Sequence, residues 1–186
     1  GDPLPGLISN VRYNGESDAP VDAGVYEVIA DFSPDDKNNY ESLTDFAAGT
    51  FVIQKATPAL SIHNSPVTYN GQPQAVVINH SVSGVISNVL YDGDTNVPVN
   101  AGEYVITADF VPTHIKKQES LTGFGVGTFV IQKATPILSI TNPRLTYDGQ
   151  AHAADLHSSV PGSLGVVLYN GTADIPIHAQ IYAVTA

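Results

Sequence analysis

Residues 103–110 read Glu-Tyr-Val-Ile-Thr-Ala-Asp-Phe, placing Tyr104, Ile106, Ala108 and Phe110 at every second position and Glu103, Val105, Thr107 and Asp109 between them. A period of two is the signature of a strand with one face turned to a core. Tyr26, Val28, Ala30 and Phe32 show the same pattern. Further inward sets are Leu60 and Ile62, then Val76, Ile78 and Val82, then Val89 and Tyr91, and finally Phe129 and Ile131. Helical periodicity is absent, so the chain is predicted to be all-β.

The same stretches recur at a fixed distance. Gly49 to Pro58, GTFVIQKATP, is repeated unchanged at Gly127 to Pro136, an offset of 78 residues. Tyr13-Asn14-Gly15, Tyr91-Asp92-Gly93 and Tyr169-Asn170-Gly171 keep that offset. Segments 6–58 and 84–136 are identical at 31 of 53 positions, and 59–108 and 137–186 at 21 of 50. A gap-free repeat keeps every loop length, as a tandem structural module does.

Proline cannot donate to a ladder and suits a strand start or linker, so the cuts fall at Lys55-Ala56-Thr57-Pro58 and Lys133 to Pro136. The units are 1–56, carrying closing strands, 57–134, complete, and 135–186, carrying opening strands. Asn-Gly and Asp-Gly supply the positive φ of tight turns. With Pro98 to Gly102 they divide the complete unit into about six or seven strands, the count of a small two-sheet sandwich of the immunoglobulin kind. Tandem sandwiches of this period are expected to form an extended rod. The incomplete outer units imply either a window on a longer array or edges completed by neighbouring chains through strand addition. The opening Gly1-Asp2-Pro3, with no initiator Met and no basic-then-apolar leader, fits a mature product or such a window.

Composition narrows the function classes. Eighteen acids against seven bases give a formal charge of −11, which leaves no basic face for nucleic acid or an anionic membrane. No apolar run approaches a membrane span, so membrane insertion is not expected. Cys, Met and Trp are absent, which excludes disulfides, thiolate metal sites and cysteine nucleophiles.

Phe-Val-Ile-Gln-Lys-Ala-Thr-Pro at the junction, Tyr-Asn-Gly or Tyr-Asp-Gly early in the unit, and Ala-Gly-Glu-Tyr-Val-Ile-Thr-Ala before the last strands together resemble the tandem bacterial immunoglobulin-like repeats of the MBG, or YDG-signature, type. The resemblance covers the whole chain. It implies spacers in large secreted or surface-anchored bacterial proteins, adhesins among them, and it brings no catalytic residues. One departure is Gln180-Ile181, where the other copies have Gly24-Val25 and Gly102-Glu103.

Candidate chemistry finds little support. The six histidines, at 63, 80, 114, 152, 157 and 178, have no histidine one period away. Asp155 and His157 share an outward face, but two ligands do not make a strong zinc site. Asp92-Gly93-Asp94-Thr95-Asn96, with Glu103 at the twelfth position, follows a calcium loop superficially; Val97 stands at its glycine position and the flanks read as a hairpin. Clustered acids there or at Asp31, Asp35 and Asp36 would bind calcium weakly at most, and a solvated loop is the simpler reading. Lys55 and Lys133 are the only lysines the repeat keeps. An isopeptide crosslink would need such a lysine buried beside Asn and a carboxyl, whereas Asp31 and Asp109 read as outward. Asn79-His80-Ser81 and Asn170-Gly171-Thr172 are glycosylation sequons. No Ser sits in a nucleophile elbow. The reading is therefore no enzyme, with no catalytic, cofactor-binding or metal residues and no cofactor.

The expected function is a structural repeat segment of a long extracellular bacterial surface protein, an adhesin stalk or filament shaft. Its partners would be neighbouring identical repeats. The competing expectation is a set of ligand-binding modules for glycan or host protein, against which the nine tyrosines stand mostly at turn starts or on inward sets.

Overall fold

Asn and Asp followed by Gly shape the chain at three equivalent turns. The computed structural model describes residues 5–186; the opening Gly1-Asp2-Pro3 lies outside the described residues. At Asn14-Gly15, Asp92-Gly93 and Asn170-Gly171 both central residues have positive φ, 48° and 91°, 51° and 85°, 49° and 88°. That is the two-residue turn whose twist suits a hairpin. Each turn closes reciprocally, as in Tyr91 N to Asp94 O at 2.7 Å and Asp94 N to Tyr91 O at 2.9 Å. Tyr69-Asn70-Gly71 and Tyr147-Asp148-Gly149 differ, because positive φ falls on their glycines alone. There the polar side chain instead accepts from the backbone two residues on, Asn70 from Gln72 N and Asp148 from Gln150 N, both at 2.9 Å.

Among the described residues there is no helix. In the first repeat phase, β1 (Gly6–Tyr13), β2 (Gly24–Pro34) and β3 (Leu43–Ile53) make an antiparallel sheet in chain order. The middle phase has six strands, within the expected count: β4 (Leu60–Ile62), β5 (Val67–Thr68), β6 (Ile78–His80), β7 (Gly84–Tyr91), β8 (Gly102–Pro112) and β9 (Leu121–Gln132). Strands β7, β8 and β9 repeat the first sheet, and β5 joins the far edge of β9 in parallel, Val67 opposite Ile131. Strands β4 and β6 form a separate pair. The third phase holds β10 (Leu138–Ile140) paired with β11 (Leu156–Ser158), and β12 (Leu168–Tyr169) paired with β13 (Val184–Thr185). Contacts divide the chain into two units, one ending at Gln132 and the other Lys133–Ala186.

The alternating residues build the core as their parity requires. Tyr91, Ile106, Phe129 and Ile131 are buried together, with Ile62, Val67, Val76 and Ile78 packed against them from the opening strands. Tyr91 and Phe129 meet edge to face with ring centroids 6.4 Å apart, a geometry favoured by the ring quadrupoles. Val76 N donates to the Tyr91 hydroxyl at 3.0 Å, which pairs the one polar atom of that ring. Ala108 and Phe110 are also fully buried.

In the first phase the counterparts Tyr13, Val28, Ala30, Phe32 and Ile53 are only partly buried, and Phe51 is 46% exposed against 0% for Phe129. The sequence around Phe51 and Phe129 is the same. What differs is the presence of covering strands.

Candidate functional site

Two features recur in register and account for residues singled out by sequence. The first is a carboxylate that holds bulged strands. Asp31 Oδ1 accepts from Asp45 N at 2.8 Å, and Asn10 Nδ2 donates to its other oxygen at 2.5 Å. Asp109 repeats this with Gly123 N at 2.6 Å and Asn88 Nδ2 at 3.3 Å. The partners Asn10, Asp45, Asn88 and Gly123 all have φ between 48° and 56°, beside shifts in strand register. The retained acid thus fastens a β-bulge on each side of its strand. The signal that would have found it was the joint repetition of Asn10 with Asn88 and Asp31 with Asp109.

The hydrogen bond from Asp45 N, then that from Asn10, holds the Asp31 carboxyl below its ordinary value of 3.8. A depressed carboxyl stabilises the fold above the ordinary value and loses that contribution as pH falls through the lower, folded value. Asp36, lowered first by the Asn39 side chain, and Asp148, lowered first by Gln150 N, act in the same direction. Melting temperature is therefore expected to fall as pH drops below about 4, and Asp31→Asn to flatten part of that dependence. An unchanged pH profile in the variant would remove the bulge contact from the account.

The second feature is the joint between the first two repeat phases, both within the unit that ends at Gln132. His114 O accepts from Lys117 N and Gln118 N at 3.0 and 3.1 Å, winding residues 114–118 into one turn. That turn reaches the preceding repeat at two places. Ala23 N donates to Lys116 O at 3.2 Å, Ala56 N to Lys117 O at 2.9 Å, and Glu119 N to Ala56 O at 3.0 Å. Ala56 and Gln118 thereby form a parallel bridge. Thr57 Oγ1 donates to Glu119 Oε2 at 3.0 Å, and Lys117 Nζ lies 3.8 Å from Asp22 Oδ1. The ion pair is half exposed and adds under about 1 kcal/mol; the three backbone bonds define the geometry. Ala23, Glu41, Ala56 and Thr57 recur as Ala101, Glu119, Ala134 and Thr135. Lys55 and Lys133 are exposed, so the lysine at the seam is Lys117 rather than the retained pair.

The remaining candidates are not assembled into one place. Asp92 Oδ1 accepts from Val105 N at 2.8 Å, and Asp94 Oδ1 from Asn96 N at 3.0 Å and Asn96 Nδ2 at 2.9 Å, while Glu103 is exposed. Asp36 accepts from Asn38 N, Asn39 N and Asn39 Nδ2, closing its own loop. Asp155 takes the Thr141 hydroxyl at 2.7 Å, and His157 is exposed on the neighbouring strand. His152 Nε2 is 2.8 Å from Asp148 Oδ1, and His80 lies over Phe110 with ring centroids 5.2 Å apart. His63 Nδ1 is 3.4 Å from Asn79 Nδ2 on an exposed edge. Among the described residues no three His, Cys, Asp or Glu side chains are arranged to hold a metal. Asn79 is exposed, and Asn170 Oδ1 accepts from Ala183 N at 2.9 Å as part of its turn. Despite Gln180-Ile181, Tyr182 keeps its hydroxyl bond to the carbonyl four residues upstream, His178 O at 3.1 Å. The same bond runs from Tyr26 to Asp22 O and from Tyr104 to Asn100 O, each at 2.8 Å.

The C-terminal unit contains an open groove of about 600 Å³ lined by Ile140, Leu145, Ala154, Tyr169, Tyr182 and Val184 among others. Their counterparts Ile62, Val67, Val76, Tyr91, Tyr104 and Ile106 surround Phe129 and Ile131 in the middle phase. The groove is the slot of a β9-type strand, which makes a small-molecule role the weaker explanation.

No curated protein and no solved structure matches the chain. The family model described as MBG domain matches three times in succession, over residues 3–57, 59–135 and 138–186. With matches that span nearly the whole sequence and follow its 78-residue period, the chain belongs to the MBG domain family, as three tandem copies.

Proposed function

We propose that this chain is a non-enzymatic structural segment of a long extracellular bacterial surface protein, serving as an adhesin stalk or filament shaft. Its repeats would be immunoglobulin-like sandwiches set end to end as a rod. The observation that carries this reading is the joint formed by residues 114–119 with Ala23, Ala56 and Thr57. A flexible linker sets only a mean separation, whereas backbone bonds across a seam fix an angle. Tandem family membership supports the reading, as do Tyr26, Tyr104 and Tyr182, which resemble the tyrosine corner of immunoglobulin-type folds. Function then lies in reach: more copies give more length.

The test uses the absence of cysteine. Spin labels on Ser17→Cys and Thr95→Cys, equivalent exposed turn positions, would report the distance between the first two repeats. A single narrow distance distribution is expected. Glu119→Pro, which removes the N–H donated to Ala56 O, is expected to broaden it severalfold. A native distribution already as broad as that of a flexible linker would sink the rod reading.

A further inference from the structure

The uncovered sheet of the first phase and the open groove of the C-terminal unit are two halves of one contact already made in the middle phase. There Ile62, Val67, Val76 and Ile78 cover Tyr91, Ile106, Phe129 and Ile131. One period earlier the covered set becomes Tyr13, Val28, Phe51 and Ile53, on a face where Phe51, Ile8 and Phe46 are 46%, 65% and 52% exposed. One period later the covering set becomes Ile140, Leu145, Ala154 and Leu156, with Ile140 38% and Leu145 56% exposed. Both sets remain apolar, with residues of similar kind at every position but the Val76-to-Ala154 exchange. An exposed apolar sheet face with a free edge is the usual template for pairing with another chain.

We propose that chains associate head to tail: the opening strands β10 and β11 of one copy, with Leu145 and Thr146, cover the β1–β3 face of the next. Leu145 and Thr146 pair in parallel with Ile53 and Gln54 at the free edge of β3, as Val67 and Thr68 pair with Ile131 and Gln132. Ala154 N, which donates to the Tyr169 hydroxyl at 2.9 Å, donates instead to Tyr13, as Val76 N does to Tyr91. Strands β12 and β13 occupy the place that β1 and β2 would take. They are joined through only two residue pairs, Leu168 with Thr185 and Tyr169 with Val184, and give way. Donor and acceptor lie on different surfaces of each copy, so the contact is heterologous and extends into a series. This goes beyond the spacer reading, since a spacer needs no second chain.

Sedimentation of the full chain at about 0.15 M salt, where charge repulsion between copies is screened within about 8 Å, tests the proposal. Apparent mass is expected to rise with concentration beyond that of a dimer. Phe51→Asp spoils the acceptor and Ile140→Asp the donor, and both residues are already solvent-accessible. Each variant alone is expected to stay monomeric, while their equimolar mixture forms a one-to-one dimer through the intact donor of the first and the intact acceptor of the second. That mixed dimer also distinguishes docking from misfolding, because misfolded surfaces would not complement one another. A wild-type chain that stays monomeric at every concentration overturns the proposal. So do single variants that still assemble, and a mixture that forms no dimer.

Discussion

Phe129→Ala is expected to destabilise the middle repeat by about 3–5 kcal/mol, and Phe51→Ala to cost under about 1 kcal/mol, although both residues sit in the same decapeptide. Phe129 is fully buried against Tyr91 and within the cluster of Ile106 and Ile131, so its removal leaves a cavity that flanking strands cannot close. Phe51 meets Tyr13 at 6.0 Å between ring centroids but is 46% open to water, so truncation removes little burial. For a domain of this size, the loss at Phe129 corresponds to a fall of about 15 °C or more in melting temperature. Urea unfolding followed by tyrosine near-UV circular dichroism would measure both. Equal losses at the two sites would mean that the first repeat is covered in solution as the middle one is. A head-to-tail assembly makes the same comparison concentration-dependent, with Phe51→Ala growing costlier as copies associate.

Gly84→Ala is the second large effect, expected at about 2–3 kcal/mol. A Cβ at Gly84 would lie 2.4 Å from Phe110 Cζ and 2.5 Å from Val111 O. The ring end could shift only by leaving its fully buried position, and the carbonyl belongs to the paired strand. Glycine here clears a seat for the cross-strand aromatic, as Gly6 does for Phe32, whose ring carbons would be 2.7 Å away. Gly125→Ala is the control: its Cβ would meet nothing within 4 Å and its φ is ordinary. That change is expected to be neutral, or stabilising by under about 1 kcal/mol through a less flexible unfolded chain. The two thermal midpoints, compared on the same chain, check the argument; a Gly84→Ala midpoint at or above that of Gly125→Ala would refute it.

Strand identity and facing were legible in the sequence because each depends on neighbours two residues apart. Tyr104, Ile106, Ala108 and Phe110 alternate, and three of the four are fully buried or nearly so while Tyr104 packs at the cluster's margin. The Asn-Gly and Asp-Gly turns at 14, 92 and 170 were equally legible, since positive φ is a local demand. At Asn70 and Asp148 the same dipeptides turn differently, because the chain continues to separate strands instead of folding back on itself. The retained Asp31 and Asp109 looked like surface acids. Their use as bulge fasteners depends on Asn10, Asp45, Asn88 and Gly123, brought beside them only by strand pairing.

The candidate joint was partly legible. Short Ala-Thr-Pro junctions implied restricted hinging, but nothing local indicated that residues 114–119 would reach back some 60 positions to Ala56 and Thr57. By itself, then, the sequence determined the β class, the period, the turns and the inward faces, since all of these follow from dihedral preference and side-chain parity over a few residues. Tertiary structure alone decided which identical segments are buried, what the retained acids hold and where repeats lock together. Burial and hydrogen bonding at those points belong to pairs of segments, and a residue's own neighbours do not specify what will lie across from it.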